Sequence, residues 1–216
     1  MIYTNGKVFV LATDNLSYVF HVDETGLLLH DYFGNKIIFD NFDISAVQQK
    51  ITCPKGTSTI YKEKVNPNLS MDYTTLEFSF PHKGDYRSTP ILLKNQQNGF
   101  VFDFNFEKYE VVEKPVLDKE IPTPHDVDQE LIITLKEVAS DIYVELHYLV
   151  FENSDVIARN MVIINKSDCV TDVLKAESFS HDPHIVRHGS HNDAHPTVFR
   201  ILPRQAPVPR SLRLPS

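Results

Sequence analysis

Asp85 and Arg87 are the residues whose types and spacing most clearly suggest a fixed chemical task. They lie in the turn Gly84-Asp85-Tyr86-Arg87, between two apolar runs, and residues 1–178 hold only one other arginine, Arg159. A guanidinium presents planar N–H donors that match a carboxylate, and alternation along an extended chain places Asp85 and Arg87 on the same side. We therefore predict a structural corner that ties down a neighbouring loop, in preference to a ligand contact.

Five histidines of the C-terminal region recur at intervals of three and four residues. They are His181, His184, His188, His191 and His195. On a helix they would form one imidazole stripe able to bind zinc or nickel. Pro183, Gly189 and Pro196 disfavour that helix. We therefore predict neither a physiological metal site nor a cofactor, and only adventitious metal capture.

Other catalytic signatures are missing from the sequence. There is no Gly-x-Ser-x-Gly turn for a serine nucleophile, and 7 glycines are too few for phosphate-binding loops. Glycoside hydrolysis needs two opposed carboxylates held about 5 to 10 Å apart. Asp126 and Asp128 are two residues apart beside a proline-rich loop, so we expect them to form a solvated face. The sequence predicts no catalytic residue in this chain.

Composition narrows the class of protein further. The net charge is -8 and residues 1–178 hold no cluster of basic residues, so neither nucleic acid nor an anionic membrane is an expected partner. No stretch of about 20 apolar residues occurs. Cys53 and Cys169 lie far apart without a CxxC motif, which predicts neither disulfides nor zinc. We expect a soluble, cytoplasmic protein.

Period-two patterning dominates the chain and predicts β-strands. In residues 142–148 the apolar side chains share one face, and Glu145 and His147 take the other. Further β-branched and aromatic runs predict strands at 18–22, 131–135 and 156–164. Short turn signals separate these runs, and no window shows a convincing helical stripe. We predict an all-β, antiparallel β-sandwich, supersandwich-like and incomplete, with an irregular C-terminal tail.

Composition changes abruptly after Ser178 and divides the chain in two. Residues 1–178 contain 14 Lys and 2 Arg, whereas residues 179–216 contain no Lys, 5 Arg and 6 of the 13 prolines. Net charge changes from -11 (16 basic, 27 acidic) to +3 (5 basic, 2 acidic). We expect a sandwich domain over 1–178 and an aberrant or disordered tail over 179–216. A shift of reading frame near Ser178 is one explanation, and a natural proline-rich tail is the other.

Three sequence blocks carry a resemblance to a known family. They are Thr13–Phe20 continued by Gly26–Gly34, then Leu76–Arg87 with its Leu-Glu-Phe and Gly-Asp-Tyr-Arg segments, and Asp155–Arg159 continued by Asn165-Lys166-Ser167. Residues 7 to 178 resemble, in collinear order, the amino-terminal β-sandwich of glycoside hydrolase family 36 α-galactosidases (melibiases), particularly the lactobacillus-like branch. The chain departs from the family after Ser178, where a tryptophan-containing segment would follow, because it contains no tryptophan.

The resemblance implies a hydrolase of terminal α-galactosyl groups that retains configuration. Its catalytic aspartates lie on a downstream (β/α)8 barrel, which needs about 250 residues. This chain is thus expected to be a truncated α-galactosidase, the non-catalytic sandwich without its barrel, and inactive alone. The intact enzyme would bind galactoside oligosaccharides and form a homo-oligomer, in which a sandwich loop approaches a neighbouring subunit's sugar pocket. That loop maps to Asn66 and Asn68 as substrate-binding candidates.

A second class of function stays open. A free-standing carbohydrate-binding or interaction β-sandwich would use exposed aromatic side chains as platforms for sugar rings. Tyr32, Phe33 and Tyr86 are the candidates for such platforms. A binding module predicts affinity for galactose or raffinose in the isolated chain, whereas a supporting domain predicts none.

Overall fold

The computed structural model describes residues 1–48, 53–54, 56, 59–81, 84–97, 99–115 and 127–177, and the backbone of 212–213. Eleven strands are described: β1 (Ile2–Thr4), β2 (Val8–Ala12), β3 (Leu16–Val22), β4 (Leu28–Asn35), β5 (Ile91–Lys94), β6 (Phe104–Glu113), β7 (Gln129–Glu137), β8 (Ile142–Phe151), β9 (Val156–Asn165), β10 (Thr171–Ala176) and β11 (Leu212–Arg213). The helical elements are two single 3-10 turns, Asp40–Phe42 and Glu152–Ser154. The predicted all-β class is confirmed.

Two antiparallel sheets form the sandwich. One has the order β1-β2-β3-β4 and the other β6-β7-β8-β9, so that each is a meander of sequential hairpins. A third sheet has the order β11-β10-β5. Its β5–β10 pair is antiparallel, whereas its β10–β11 pair is parallel and differs from the antiparallel pairing predicted for the sandwich. No tight turn joins these two strands, because 35 residues lie between Ala176 and Leu212, so a hairpin does not fix their direction.

Strand β8 shows how the sequence pattern becomes structure. Ile142, Val144, Leu146 and Tyr148 are buried on one face, as the alternation predicts. From Leu149 to Phe151 the side chains on both faces of the strand are buried. The second face is partly exposed only at the start of the strand. The strand therefore runs through the core, and polar side chains on its second face must find partners within the protein.

The main core lies between the two four-stranded sheets. Phe20 of β3 is fully buried, and its ring centroid lies 5.1 Å from that of Phe9 on β2 and 5.1 Å from that of Tyr148 on β8. Phe9 in turn contacts Tyr109 of β6 edge-on, with centroids 5.2 Å apart. Aromatic pairs of this geometry add to the stabilisation from buried apolar area. Phe20 is thus a direct link between the layers.

A long segment connects β4 to β5 and contributes to this core. It includes the residues from Tyr61 to Met71. Isolated bridges pair Leu29 with Leu76 and Ile60 with Ser70. Tyr61, Leu69 and Met71 are almost fully buried, so the segment packs as part of the sandwich and is not a loose surface loop.

Several sequence-based expectations fall outside the described residues. The five tail histidines lie there, as does Asp126, and the boundary at 178 is one residue beyond the last described residue of the sandwich. In the part of the chain that is described, no helix is long and apolar enough to cross a membrane.

Candidate functional site

Residues 62–68, called here the tip loop, project from the segment between β4 and β5. The backbone N–H of Tyr61 donates to the carbonyl of Leu69 at 2.9 Å, and both side chains are buried beneath the loop. Beyond this base the side chains of Glu63, Lys64, Val65, Pro67 and Asn68 are exposed. The tip loop is therefore a solvent-facing turn mounted on a rigid base.

The two predicted substrate-binding residues lie in the tip loop but differ in their hydrogen bonding. Asn66 Oδ1 accepts the backbone N–H of Asn68 at 2.9 Å, which forms an Asx turn and leaves the Asn66 side chain half-buried. Asn68 is exposed, and its side chain makes no hydrogen bond to a described residue. Of the two, Asn68 is the side chain available to an incoming polar ligand.

Asp85 and Arg87 form a closely bonded corner. Arg87 Nε donates to Asp85 Oδ1 at 2.9 Å and Nη2 donates to Oδ2 at 3.2 Å. The hydroxyl of Ser79 also donates to Oδ2, at 2.9 Å, and Arg87 Nη1 donates to the carbonyl of Thr74 at 2.6 Å. The Asp85 side chain is fully buried, whereas that of Arg87 is 30% exposed. Both carboxylate oxygens are engaged inside the protein.

A second ionic cluster, which the sequence did not predict, lies between the two sheets. Glu77 accepts hydrogen bonds from Tyr18 Oη at 2.6 Å, Tyr148 Oη at 2.8 Å and Arg159 Nη1 at 2.7 Å. Its Oε2 also lies 3.2 Å from His30 Nδ1. The side chains of Glu77 and Arg159 are 1% and 3% exposed. We call these five residues the buried network.

Charge pairing in the buried network keeps Glu77 ionised. Burial alone would raise the pKa of Glu77, but Arg159 and the hydrogen bonds from His30 and Tyr18 outweigh it and lower the pKa below its usual value. Burial and the nearby Glu77 charge raise the pKa of Tyr18. Burial likewise raises the pKa of Tyr148. Glu77 is therefore held as a carboxylate beside two protonated phenols and a guanidinium.

The sequence did contain a signal for the buried network. Glu77 interrupts an apolar run, and Arg159 interrupts the apolar run of β9; both belong to the blocks that carry the family resemblance. An ionisable residue within a buried segment needs a partner of opposite charge. Pairing Glu77 with Arg159 across 82 positions required the fold.

His147 lies on the second face of β8 between two carboxylates. Its Nδ1 is 2.8 Å from Glu130 Oε1 on β7, and its Nε2 is 3.6 Å from Glu145 Oε2. Burial alone would lower the pKa of His147, but these two glutamates outweigh it and the pKa is raised above 6.5. The hydrogen bond from His147 lowers the pKa of Glu145 against the effect of burial, and the charges of His147, Lys108 and Lys166 lower it further.

This arrangement makes stability depend on pH. Because the folded pKa of His147 is raised, its contribution is fully present below about pH 6.5, the unfolded value, and is lost as pH rises through the folded pKa. We expect the urea midpoint to fall over that window, and the fall to be smaller in His147→Gln. Parallel pH profiles for the two proteins would contradict the role of His147.

The remaining candidates from the sequence occupy structural or exposed positions. Asp128, which the sequence placed on a solvated face, accepts the backbone N–H of Glu152 at 2.7 Å and so fixes a turn. Across the described ranges, no group of three or more His, Cys, Asp or Glu side chains is arranged to hold a metal ion. Of the three candidate sugar platforms, Tyr86 is 88% exposed, whereas Tyr32 and Phe33 pack against core clusters. The described residues thus define an antiparallel β-sandwich.

Comparison with known proteins identifies the family to which this sandwich belongs. Residues 26–187 match the family model described as the glycosyl hydrolase family 36 N-terminal domain. This match covers most of the chain, so the chain belongs to that family. It also continues nine residues past Ser178, where the sequence resemblance was expected to end.

Curated relatives are α-galactosidases of fungi and bacteria. The chain is 28% identical over 189 residues to the probable alpha-galactosidase C of Aspergillus flavus, covering 84% of this chain and 23% of the relative. It is 30% identical over 166 residues to the bifunctional alpha-galactosidase/sucrose kinase of Mediterraneibacter gnavus, covering 74% and 17%. A Lactobacillus acidophilus alpha-galactosidase is 24% identical. These relatives do not single out the lactobacillus-like branch.

Solved structures show the same fold. The galactosidase domain of the alpha-galactosidase-sucrose kinase superposes with a TM-score of 0.71 at 27% identity, covering 82% of this chain and 25% of that one. A Geobacillus stearothermophilus family 36 alpha-galactosidase variant in complex with raffinose superposes with a TM-score of 0.70 at 20% identity, covering 80% and 24%. This chain thus spans about a quarter of these proteins and corresponds to their N-terminal domain. The catalytic domain is not part of it.

Proposed function

We propose that this chain is the supporting sandwich of an α-galactosidase that acts on galactoside oligosaccharides. The observation that carries the proposal is the family match over residues 26–187, together with relatives that are α-galactosidases. Solved neighbours bound to raffinose and to stachyose support this class of substrate. In this account the chain contributes no catalytic residue, and hydrolysis takes place on a barrel that it helps to hold.

We further propose that the tip loop contacts sugar bound in a neighbouring subunit of a homo-oligomer. The exposed amide of Asn68 offers both a donor and an acceptor to sugar hydroxyls, and Asn66 shapes the turn that presents it. The corner of Asp85 and Arg87 has a structural role in this account, because its bonds to Ser79 and Thr74 fasten the segment that follows the tip loop.

A second candidate function is a free-standing carbohydrate-binding sandwich, and the exposure of Tyr86 favours it. A phenol ring that is 88% exposed can stack on the apolar face of a galactose ring. We place this candidate second because Tyr32 and Phe33 are engaged: the hydroxyl of Tyr32 donates to the carbonyl of Asn35, and Phe33 packs edge-on against Tyr18.

Isothermal titration with galactose and raffinose separates the two candidates. A supporting domain is expected to show no saturable heat with either sugar, because its sugar contact is made only within the assembled enzyme. Saturable binding that is lost in Tyr86→Ser and kept in Tyr73→Ser, another exposed tyrosine, would replace the first proposal by the second.

We propose a cytoplasmic location and an interrupted reading frame for the tail. The free thiols of Cys53 and Cys169 support a reducing compartment.

The exchange of lysine for arginine after Ser178 supports the interrupted reading frame. Independent sequencing reads across the Ser178 codon test it: barrel-coding sequence in another frame is expected, and an intact frame without such sequence would contradict it.

A further inference from the structure

Lys62, the first residue of the tip loop, has an unusual backbone conformation. Its φ is +49°, in the left-handed region that non-glycine residues rarely adopt. Its carbonyl accepts the backbone N–H of Val65 at 2.8 Å and that of Asn66 at 3.1 Å. The turn that carries Asn66 therefore begins on a residue whose own conformation needs support from its surroundings.

The side chain of Lys62 supplies this support. Its Nζ donates to the carbonyl of Thr25 at 2.7 Å, in the turn between β3 and β4, and also to Asn105 Oδ1 on β6. The same Nζ lies 5.0 Å from the ring centroid of Tyr61. One ammonium thus joins the base of the tip loop to both sheets of the sandwich.

The acceptors of Lys62 are themselves held in place. Asn105 Nδ2 donates to Asp103 Oδ1 at 2.9 Å and to Tyr61 Oη at 3.1 Å, and Tyr61 Oη donates to Asp103 Oδ1 at 2.6 Å. Burial and the Asp103 hydrogen bond raise the pKa of Tyr61, so the phenol stays protonated as a donor. Asn105 Oδ1 therefore has a fixed orientation towards Lys62.

Close packing leaves little freedom around these acceptors. Gly26 follows Thr25 and has a φ of +92°, and a Cβ at Gly26 would lie 2.8 Å from Asn105 Oδ1. The backbone of the β3–β4 turn thus approaches Asn105 closely because position 26 is glycine. The two acceptors of the Lys62 ammonium, the Thr25 carbonyl and Asn105 Oδ1, are therefore held in place by the packing around them.

We propose that Lys62 is a positioning residue that fixes the direction of the tip loop, so that Asn68 meets sugar in the neighbouring subunit. The inference rests on the sugar contact put forward under the proposed function. Lys64, two residues further on, is exposed and provides a matched control for the loss of a lysine charge from the same loop.

Hydrogen exchange in the 216-residue chain tests the anchoring. Lys62→Met keeps the apolar stem and removes the ammonium, and we expect the amides of Val65, Asn66 and Leu69 to exchange at least about tenfold faster. The strands of the sandwich should keep their protection, and Lys64→Met should match the unchanged chain. Lys62→Leu, which also lacks a donor, serves if Lys62→Met does not fold. Tip-loop exchange within about twofold of the unchanged chain in the folded variant would overturn the proposal.

Kinetics with raffinose of the full-length α-galactosidase, made by restoring the reading frame into the barrel, separate this proposal from the one on which it rests. We expect Lys62→Met and Asn68→Ala each to raise KM several-fold with kcat unchanged, and Lys64→Met to alter neither. If Asn68→Ala raises KM and Lys62→Met does not, Lys62 has no positioning role while the sugar contact stands. If Asn68→Ala leaves KM unchanged, the sugar contact fails and the positioning role with it, whatever the exchange result.

Discussion

We expect Arg159→Met to lower the free energy of unfolding by about 3 to 5 kcal/mol, since breaking a buried ion pair leaves an uncompensated charge in the core. The guanidinium of Arg159 carries the permanent positive charge that pairs with the Glu77 carboxylate. Its Nη1 donates to that carboxylate and, at 3.2 Å, to the backbone carbonyl of Glu77. The guanidinium also lies 5.1 Å from the ring centroid of Tyr148. Urea denaturation at neutral pH measures the loss.

Arg87→Met is the matched control for Arg159→Met. Arg87 is likewise paired with a carboxylate, but its own side chain is 30% exposed, so solvent already screens the ion pair, and Ser79 still donates to Asp85 when Arg87 is replaced. We therefore expect a smaller loss. The double variant Arg159→Met/Glu77→Gln should recover part of the stability, because the unpaired charge is removed. Equal losses for Arg159→Met and Arg87→Met would show that the buried network is not the stronger link.

The second large effect is expected for Phe20→Ala, which should cost about 3 to 5 kcal/mol of unfolding free energy. Phe20 is fully buried and contacts aromatic rings of both sheets, Phe9 on one side and Tyr148 on the other. Removing its ring leaves a cavity that two rigid sheets cannot close. Thermal or urea denaturation, read by circular dichroism, checks the value.

Phe100→Ala provides the comparison for Phe20→Ala. Phe100 is 41% exposed and lies outside the strands, so the same deletion there should cost under about 1 kcal/mol. A loss for Phe20→Ala as small as that for Phe100→Ala would mean that the interface between the sheets does not carry the stability of the domain.

The strands could be predicted because the burial of each strand is reflected in the order of its own apolar and polar residues. Residues 142–148 alternate, and β8 buries the predicted face; 18–22, 131–135 and 156–164 likewise lie within strands. A strand that buries one face must repeat with period two, so local sequence is sufficient. The parallel β10–β11 pair was not predictable, because 35 residues separate the two strands in the sequence.

The site was less accessible to sequence reasoning. Asn66 and Asn68 were predicted from the family resemblance. Their difference in hydrogen bonding depends on the turn that Lys62 begins. The sequence does not indicate that this lysine has a positive φ. The buried network joins residues from 18 to 159, so its composition is a product of the tertiary fold. Short-range pairs such as Asp85 and Arg87 are visible in sequence because alternation alone brings them together.

Release of nitrophenol from p-nitrophenyl α-galactoside by the purified 216-residue chain is the most direct test of the central claim. Under the proposed function, the sandwich supports the catalytic barrel and contributes no catalytic residue. The account predicts no release above the rate in buffer. Turnover that copurifies with the folded chain and is lost on its unfolding would contradict it.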